Sequence, residues 1–265
     1  MAVKALSAHL RSLVQRIRAK VDARRTERRS SPPGAFPPAL QCRIAYNRHG
    51  GFCVPLSSRH RPAARMILSG EIHEPETVEF VASHCGAGDV IHAGTYFGPL
   101  LPAFSRALAP GARLRAFEPN LENYRCARIT LWLNGLENVE LVHAGLGERR
   151  DSRILETTDS DRRALGGASR ILPQGVGANS DRSERVEIVT IDEMVPKERN
   201  VSIIQLDVEG YEQLALTGAL DTVRRCRPLL VLESMPGEDW LYANLLALGY
   251  RVGQRVHANT VLAPG

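Results

Sequence analysis

The stretch DVIHAGTYFG, residues Asp89 to Gly98, decides the fold. Within it, Val90–Ala93 is a short apolar run that reads as a strand buried on both faces of a sheet. Gly94 permits the tight turn that follows and lets a ligand come close to the backbone. Gly98 lets the next helix pack near the strand, and the N-terminus of such a helix favours a carboxylate or phosphate. Two glycines spaced G-x-x-x-G fall short of a nicotinamide fingerprint, which wants a third where Tyr96 stands.

Downstream the pattern repeats. Apolar runs at Leu114–Phe117, Val139–His143, Ile203–Leu206, Leu229–Leu232, Tyr250–Val256 and Thr260–Leu262 read as further strands. Helical stretches fall between most of them, at Leu100–Leu108, Leu121–Leu133, Glu212–Leu220 and Trp240–Leu248. Strands alternating with helices over short turns predict an α/β fold, a doubly wound, mostly parallel seven-stranded Rossmann-like sheet covered on both faces. The gap from Glu148 to Arg185 reads as an insertion over one edge, a functional lid or a surface loop. Gly166–Arg170 supplies the glycines for a lid to fold over a bound acceptor.

Upstream, residues 42–56 look like a hairpin turning at Asn47–Gly51. Helices are expected around Arg61–Leu68 and from Pro75 to about Cys85. Leu6, Leu10, Leu13, Ile17 and Val21 recur at helical spacing among arginines, a basic amphipathic helix. Residues 3–29 suit packing of one stripe on the chain's own domain or on a second copy in a homodimer, or docking to an anionic surface or a protein partner. SSPPGAFPP, Ser30 to Pro38, reads as a linker. The expected organisation is therefore 1–38 as helix and linker, 39–88 as hairpin and covering helices, and 89–265 as the ligand-binding domain.

The 265 residues are 43% hydrophobic and 24% charged, an ordinary globular balance. The net charge of +5 is uneven: residues 1–30 hold nine Lys/Arg against Asp22 and Glu27, which leaves the remainder at −2. A body so charged offers no footprint for phosphate backbones, so nucleic acid is not an expected partner. Five scattered cysteines without a C-x-x-C pair argue against a disulfide framework and a zinc site. With no apolar run long enough to span a bilayer and no signal core, a cytoplasmic protein is expected.

Ligands of open α/β sheets bind beyond the carboxyl ends of the strands. Glu118, ending Leu114–Phe117, lies 24 residues after Gly94, where an acid can accept both hydroxyls of an adenosine ribose. The exit Gln205–Glu212 (QLDVEGYE) brings Asp207 and Glu209, and the next exit brings Glu233. Carboxylates at strand ends cost desolvation unless they cap helices, pair with arginines or do chemistry. Asp207 or Glu209 would position and deprotonate an acceptor hydroxyl, with Glu233 as a further choice; His73 and His143 are alternative bases. A divalent metal gathered by the three carboxylates is a lesser alternative, and none is expected.

The run from about Ile72 to Val261 resembles the FkbM family of methyltransferases. The resemblance rests on Glu74-Pro75, on GAGDVI at Gly86–Ile91, on the Gly94–Gly98 turn, on FEPN at Phe117–Asn120, on TIDE at Thr190–Glu193, and above all on LDVEGYE at Leu206–Glu212. It implies S-adenosylmethionine as cofactor and a hydroxyl on a sugar, polyketide or other natural product as small-molecule acceptor. Carried over by position, Gly94, Thr95, Tyr96 and Gly98 would hold the methionine end, with Asp207 close by. Glu118 would hold the ribose, Pro119, Asn120 and Asn123 would flank the adenosine, and Gly145 and Leu146 would line the adenine. The family usually has an acid where His92 stands and Asn-Ile where Tyr96-Phe97 stand, which puts the grip on the methionine ammonium in question. A non-catalytic scaffold and a nicotinamide-dependent oxidoreductase are the competing readings.

Overall fold

A computed structural model of the chain describes residues 39–173, 175 and 182–265. The basic helix and linker expected within residues 1–38 lie outside the described residues. Residues 40–265 form one unit.

The continuous apolar runs become the central strands because parallel strands between two helical layers have no wet face. These are β3 (Asp89–Ala93), β4 (Leu114–Phe117), β5 (Val139–Val142), β10 (Val201–Leu206) and β11 (Leu229–Leu232), followed by β12 (Tyr250–Val256) and β13 (Asn259–Pro264). They build a seven-stranded sheet of order β12-β13-β11-β10-β3-β4-β5. β13 runs antiparallel to both of its neighbours, while β11, β10, β3, β4 and β5 are parallel. Strand order reverses between β3 and β10, so a crevice opens at their carboxyl ends.

One apolar cluster, around Ile91, Ile204, Leu206, Leu230 and Leu232, fills one face of the sheet. A second, around Val90, Phe104, Leu114, Ile203 and Val231, fills the other. On the first face, the helix expected over Glu212–Leu220 is two helices, α6 (Glu212–Thr217) and α7 (Leu220–Cys226). The break is at Gly218, where any Cβ would lie 2.0 Å from the carbonyl oxygen of Gly147. Only a glycine allows that approach.

The hairpin forms as expected from β1 (Cys42–Asn47) and β2 (Gly50–Pro55). It packs on the helix α4 (Leu121–Asn134), where the Cys53 N–H donates to Thr130 Oγ1 at 3.0 Å and the Thr130 hydroxyl donates to the Phe97 carbonyl at 2.9 Å. Helices α1 (Pro62–Leu68) and α2 (Pro75–His84) both begin on proline, whose missing N–H costs nothing in a first turn.

The insertion is not a bare loop. β7 (Asp151–Glu156) and β9 (Ser183–Val189) pair antiparallel over six positions; with β6 (Gly145–Leu146) and β8 (Arg170–Ile171) they make a four-stranded sheet of order β6-β9-β7-β8. β6 ties this sheet to the exit of β5, so the insertion stands over the end of the main sheet where the crevice opens. No helix among the described residues is long and apolar enough to cross a membrane.

Candidate active site

The turn after β3 and the exit of β10 touch. A Cβ on Gly94, at φ +83°, would stand 1.8 Å from the carbonyl oxygen of Asp207, so position 94 demands glycine on both steric counts. Two adjoining hollows open around this contact.

The first is a crevice whose wall includes Gly94, Glu118, Pro119, Gly145, Leu146 and Asp207, with Leu155, Gly167, Ser169 and Ile171 supplied by the insertion. Gly94 and Glu118 therefore share one cleft, and its far end is a slot between apolar side chains, the surface a purine ring requires. Glu118 is only 4% exposed. Its Oε2 accepts the Tyr96 N–H at 2.6 Å; its Oε1 accepts the Asn120 N–H at 2.8 Å and the Asn123 side-chain amide at 3.4 Å. Burial outweighs these donors and pushes the carboxyl up to about 8.

Three positions expected on the cofactor do not reach the wall of either hollow. Asn120 caps α4, its Oδ1 accepting the Asn123 N–H at 3.0 Å, and its amide donates to Ser169 Oγ at 3.3 Å. Asn123 donates to the Gly166 carbonyl at 3.1 Å, so both asparagines brace Glu118 and the insertion from behind. Gly98, at φ +85°, serves the chain turn, with Leu101 and Thr130 packed where a Cβ would go.

The second hollow is wider and polar. Arg61, His73, Glu74, His92, Thr95, Tyr96, Asp207, Glu209 and Glu233 line it, and Gly167 and Ala168 of the insertion close one side. Among the described residues, Asp207, Glu209 and Glu233 offer three carboxylate oxygens all within 4.8 Å of one another. Burial first, then the neighbouring Glu233 carboxyl, raises Asp207 well above the ordinary carboxylate range. Glu209, at φ +54° ahead of Gly210 at φ +90°, is raised as well, chiefly by burial. Glu212 belongs to the scaffold: its Oε1 accepts the Val208 N–H at 3.1 Å.

The insertion closes on Tyr96. At φ +55° the Tyr96 ring lies beneath Gly166 and Gly167, and its hydroxyl shares a 2.5 Å hydrogen bond with Ser58. Of the alternative bases, His73 lines the second hollow. His143 lies just past the end of β5, stacks on Tyr124 and bonds the Pro119 carbonyl at 2.9 Å, outside both hollows.

Several wall residues carry no mark in the sequence. Leu155 and Ile171 fall inside the Glu148–Arg185 insertion, Arg61 stands at the start of the helix expected around Arg61–Leu68, and Glu74 enters only through the Glu74-Pro75 motif. The left-handed backbone of Glu74, φ +45°, is the feature that turns it toward the hollow, and the motif Glu74-Pro75 was the one signal available.

Solved structures that resemble the chain include an FkbM methyltransferase from Methylobacillus flagellatus KT, at 17% identity over 66% of this chain and 43% of that one, TM-score 0.46. Another is a SAM-dependent methyltransferase from Aquifex aeolicus, at 16% identity over 72% and 88%, TM-score 0.38. A third is a tRNA (uracil-54, C5)-methyltransferase from Pyrococcus abyssi in complex with S-adenosyl-L-homocysteine, at 11% identity over 88% and 47%, TM-score 0.40. The chain thus spans less than half the length of the Methylobacillus protein. Comparison with curated proteins finds no match. The sequence profile of the methyltransferase FkbM domain matches residues 84–252, from the end of α2 into β12. With that match over more than half its length, the chain belongs to the FkbM family of S-adenosylmethionine-dependent methyltransferases.

Proposed function

We propose that the chain methylates a hydroxyl oxygen of a small molecule, a sugar, polyketide or other natural product, in the cytoplasm and without a nucleic-acid partner. The observation that carries this is the meeting of Asp207, Glu209 and Glu233 in the second hollow, directly beside the Gly94 turn.

The residues present fit the cofactor. Gly94 lets the turn after β3 lie against the Asp207 backbone with no side chain between them, and buried polar atoms without partners line the hollow at the methionine end. Leu146, Leu155 and Ile171 would enclose the adenine, with Gly145 and Pro119 beside it. The Glu118 carboxyl group still has hydrogen-bonding capacity for the ribose after its three N–H bonds. Thr95 and Tyr96 would flank the methionine end. When bound, the cofactor supplies an electrophilic methyl group on a positively charged sulfur.

The protein's task is then to hold an alcohol oxygen in line with that methyl and to take away its proton. Asp207, raised by burial and by the neighbouring Glu233, faces the acceptor's side of the hollow, where its carboxyl can hydrogen-bond and orient the hydroxyl. Glu209 accepts the hydroxyl proton; raised above the usual carboxylate range, it is better matched to that work than a free glutamate. Glu233 completes the set. Gly167 and Ala168 of the insertion close one side of this hollow.

The test is release of S-adenosylhomocysteine across a panel of glycosylated and polyketide alcohols, with the matching amines as controls. Turnover with alcohols and not with amines is expected. Asp207→Asn and Glu209→Gln should each lower turnover about 10²-fold or more. Near-wild-type rates in both would remove them from the chemistry, and turnover lost to a chelator would assign the three carboxylates to a metal instead.

A further inference from the structure

Among the described residues, three buried polar atoms around the second hollow have no partner: Glu74 Oε2, His92 Nε2 and Thr95 Oγ1. Their residues are 9%, 1% and 0% exposed. Buried polar atoms in folded proteins are nearly always paired, and an orphan costs the full desolvation of its group. Three orphans around one hollow mark where a ligand completes the protein.

Their chemistry defines that ligand. Glu74 Oε1 lies 3.4 Å from His73 Nε2, while Oε2 faces no donor. His92 Nδ1 bonds Oε1 of Gln205; with the amide in this orientation Nδ1 carries the ring proton and Nε2 presents a bare lone pair. Burial pushes His92 down to about 4, so the ring is neutral, and the Glu74 charge acts on it directly. Two acceptors, one of them anionic, thus lie near each other. The group that satisfies both must be cationic and carry several N–H bonds, as a primary ammonium does. A carboxylate or phosphate would be repelled.

We propose that Glu74 and His92 together receive the α-ammonium of the cofactor's methionine moiety, Glu74 supplying the charge and His92 Nε2 a second acceptor. The Thr95 hydroxyl is then free to donate to the carboxylate on the same carbon. The inference rests on the cofactor assignment and adds to it the residues that tell the amino acid end from the nucleoside alone. It also explains how a neutral histidine is tolerated at position 92: the negative charge comes from the neighbouring element.

Calorimetry on the full chain tests this with three ligands: S-adenosylhomocysteine, its deaminated analogue, and 5′-methylthioadenosine, which lacks the amino acid. Charge-assisted hydrogen bonds of this kind are worth about 10–100-fold in affinity. Wild type should bind S-adenosylhomocysteine that much more tightly than the deaminated analogue. Glu74→Gln should erase the difference and leave 5′-methylthioadenosine within about 2-fold of wild type. Adding His92→Asp to Glu74→Gln should restore much of the preference by returning an anion to the hollow.

Equal wild-type affinity for the amino and deaminated ligands would overturn the proposal without any variant having to fold. So would a Glu74→Gln protein that keeps the preference, or one that loses all three ligands alike. Failure of wild type to bind even 5′-methylthioadenosine would overturn the cofactor assignment itself.

Discussion

The Glu118 carboxylate accepts the backbone N–H of Tyr96 at 2.6 Å, tying the end of β4 to the turn that follows β3. Twenty-two residues apart in sequence, the two form one device. The bond holds Tyr96 in a left-handed conformation, and the Tyr96 ring in turn carries the insertion. The acid expected to grip the ribose is thus also the brace of the glycine turn. Glu118→Ala should abolish binding of both S-adenosylhomocysteine and 5′-methylthioadenosine, and it should lower stability by about 2–4 kcal/mol, since it orphans two buried N–H groups. Calorimetry with the two ligands and a thermal melt check it. A variant that binds 5′-methylthioadenosine normally would separate Glu118 from the ribose.

Gly94 is equally constrained. Its φ of +83° and the Asp207 carbonyl, 1.8 Å from any added Cβ, leave no room for a methyl group. Gly94→Ala should cost at least about 2 kcal/mol, from backbone strain together with overpacking. For a chain of this size that is a melting shift of roughly 4–8 °C, and cofactor affinity should be lost with it. A melt within 1 °C of wild type would show that the two strand exits separate easily.

The main sheet was legible because strands buried on both faces must be continuous apolar runs, and Leu229–Leu232 and Ile203–Leu206 have no other reading. The second sheet was hidden by the same logic. β7 reads DSRILE and β9 reads SERVEIV, each with charges on an outer face, so neither gives a run of apolar residues. The helix break at Gly218 depends on Gly147, 71 residues away, and no local pattern announces it. In the candidate site, the strand-end carboxylates and Gly94 could be read because their residue types are costly or unusual where they stand. Asn120, Asn123 and Gly98 are expected on the ligand from their position in the family's motifs, and the structure shows what else they do: Asn120 caps its own helix, Asn123 bonds the insertion and Gly98 makes the chain turn. The apolar slot of Leu155 and Ile171 could not be read, since only the fold brings them to the crevice, and Glu74 was marked by the motif Glu74-Pro75 alone, with nothing to place it at the second hollow.

The contact between the insertion and Tyr96 predicts a lid. Gly166, at φ +61°, has the Tyr96 hydroxyl 2.7 Å and Ser58 Cβ 2.9 Å from where its own Cβ would be. Gly166→Val should lift the insertion from Tyr96 without touching the acid cluster. KM for the acceptor should rise several-fold more than kcat falls. Amide exchange should quicken by about tenfold across residues 164–172, a loss near 1.4 kcal/mol of local protection. Unchanged exchange there would mean that the insertion is held by its β7–β9 pairing alone.

His92 sets a pH dependence whose sign follows from its burial. Unfolded, its ring titrates near 6.5; folded, burial holds it at about 4. A group with a depressed folded pKa contributes stability that is present above the unfolded value and is lost as pH falls through the folded one. Between pH 6.5 and 4 the unfolded chain takes up a proton that the native chain refuses, so stability should fall by up to about 3 kcal/mol across that window. His92→Asn should flatten this part of the curve. The raised carboxyls of Glu118 and Asp207 act in the opposite sense, because their native forms hold protons that the unfolded chain releases, and they favour the fold as pH drops. The difference between wild type and His92→Asn, measured by denaturant unfolding at pH 7, 5.5 and 4.5, isolates the histidine from them. A difference that does not change with pH would show that the His92 ring takes up its proton inside the fold.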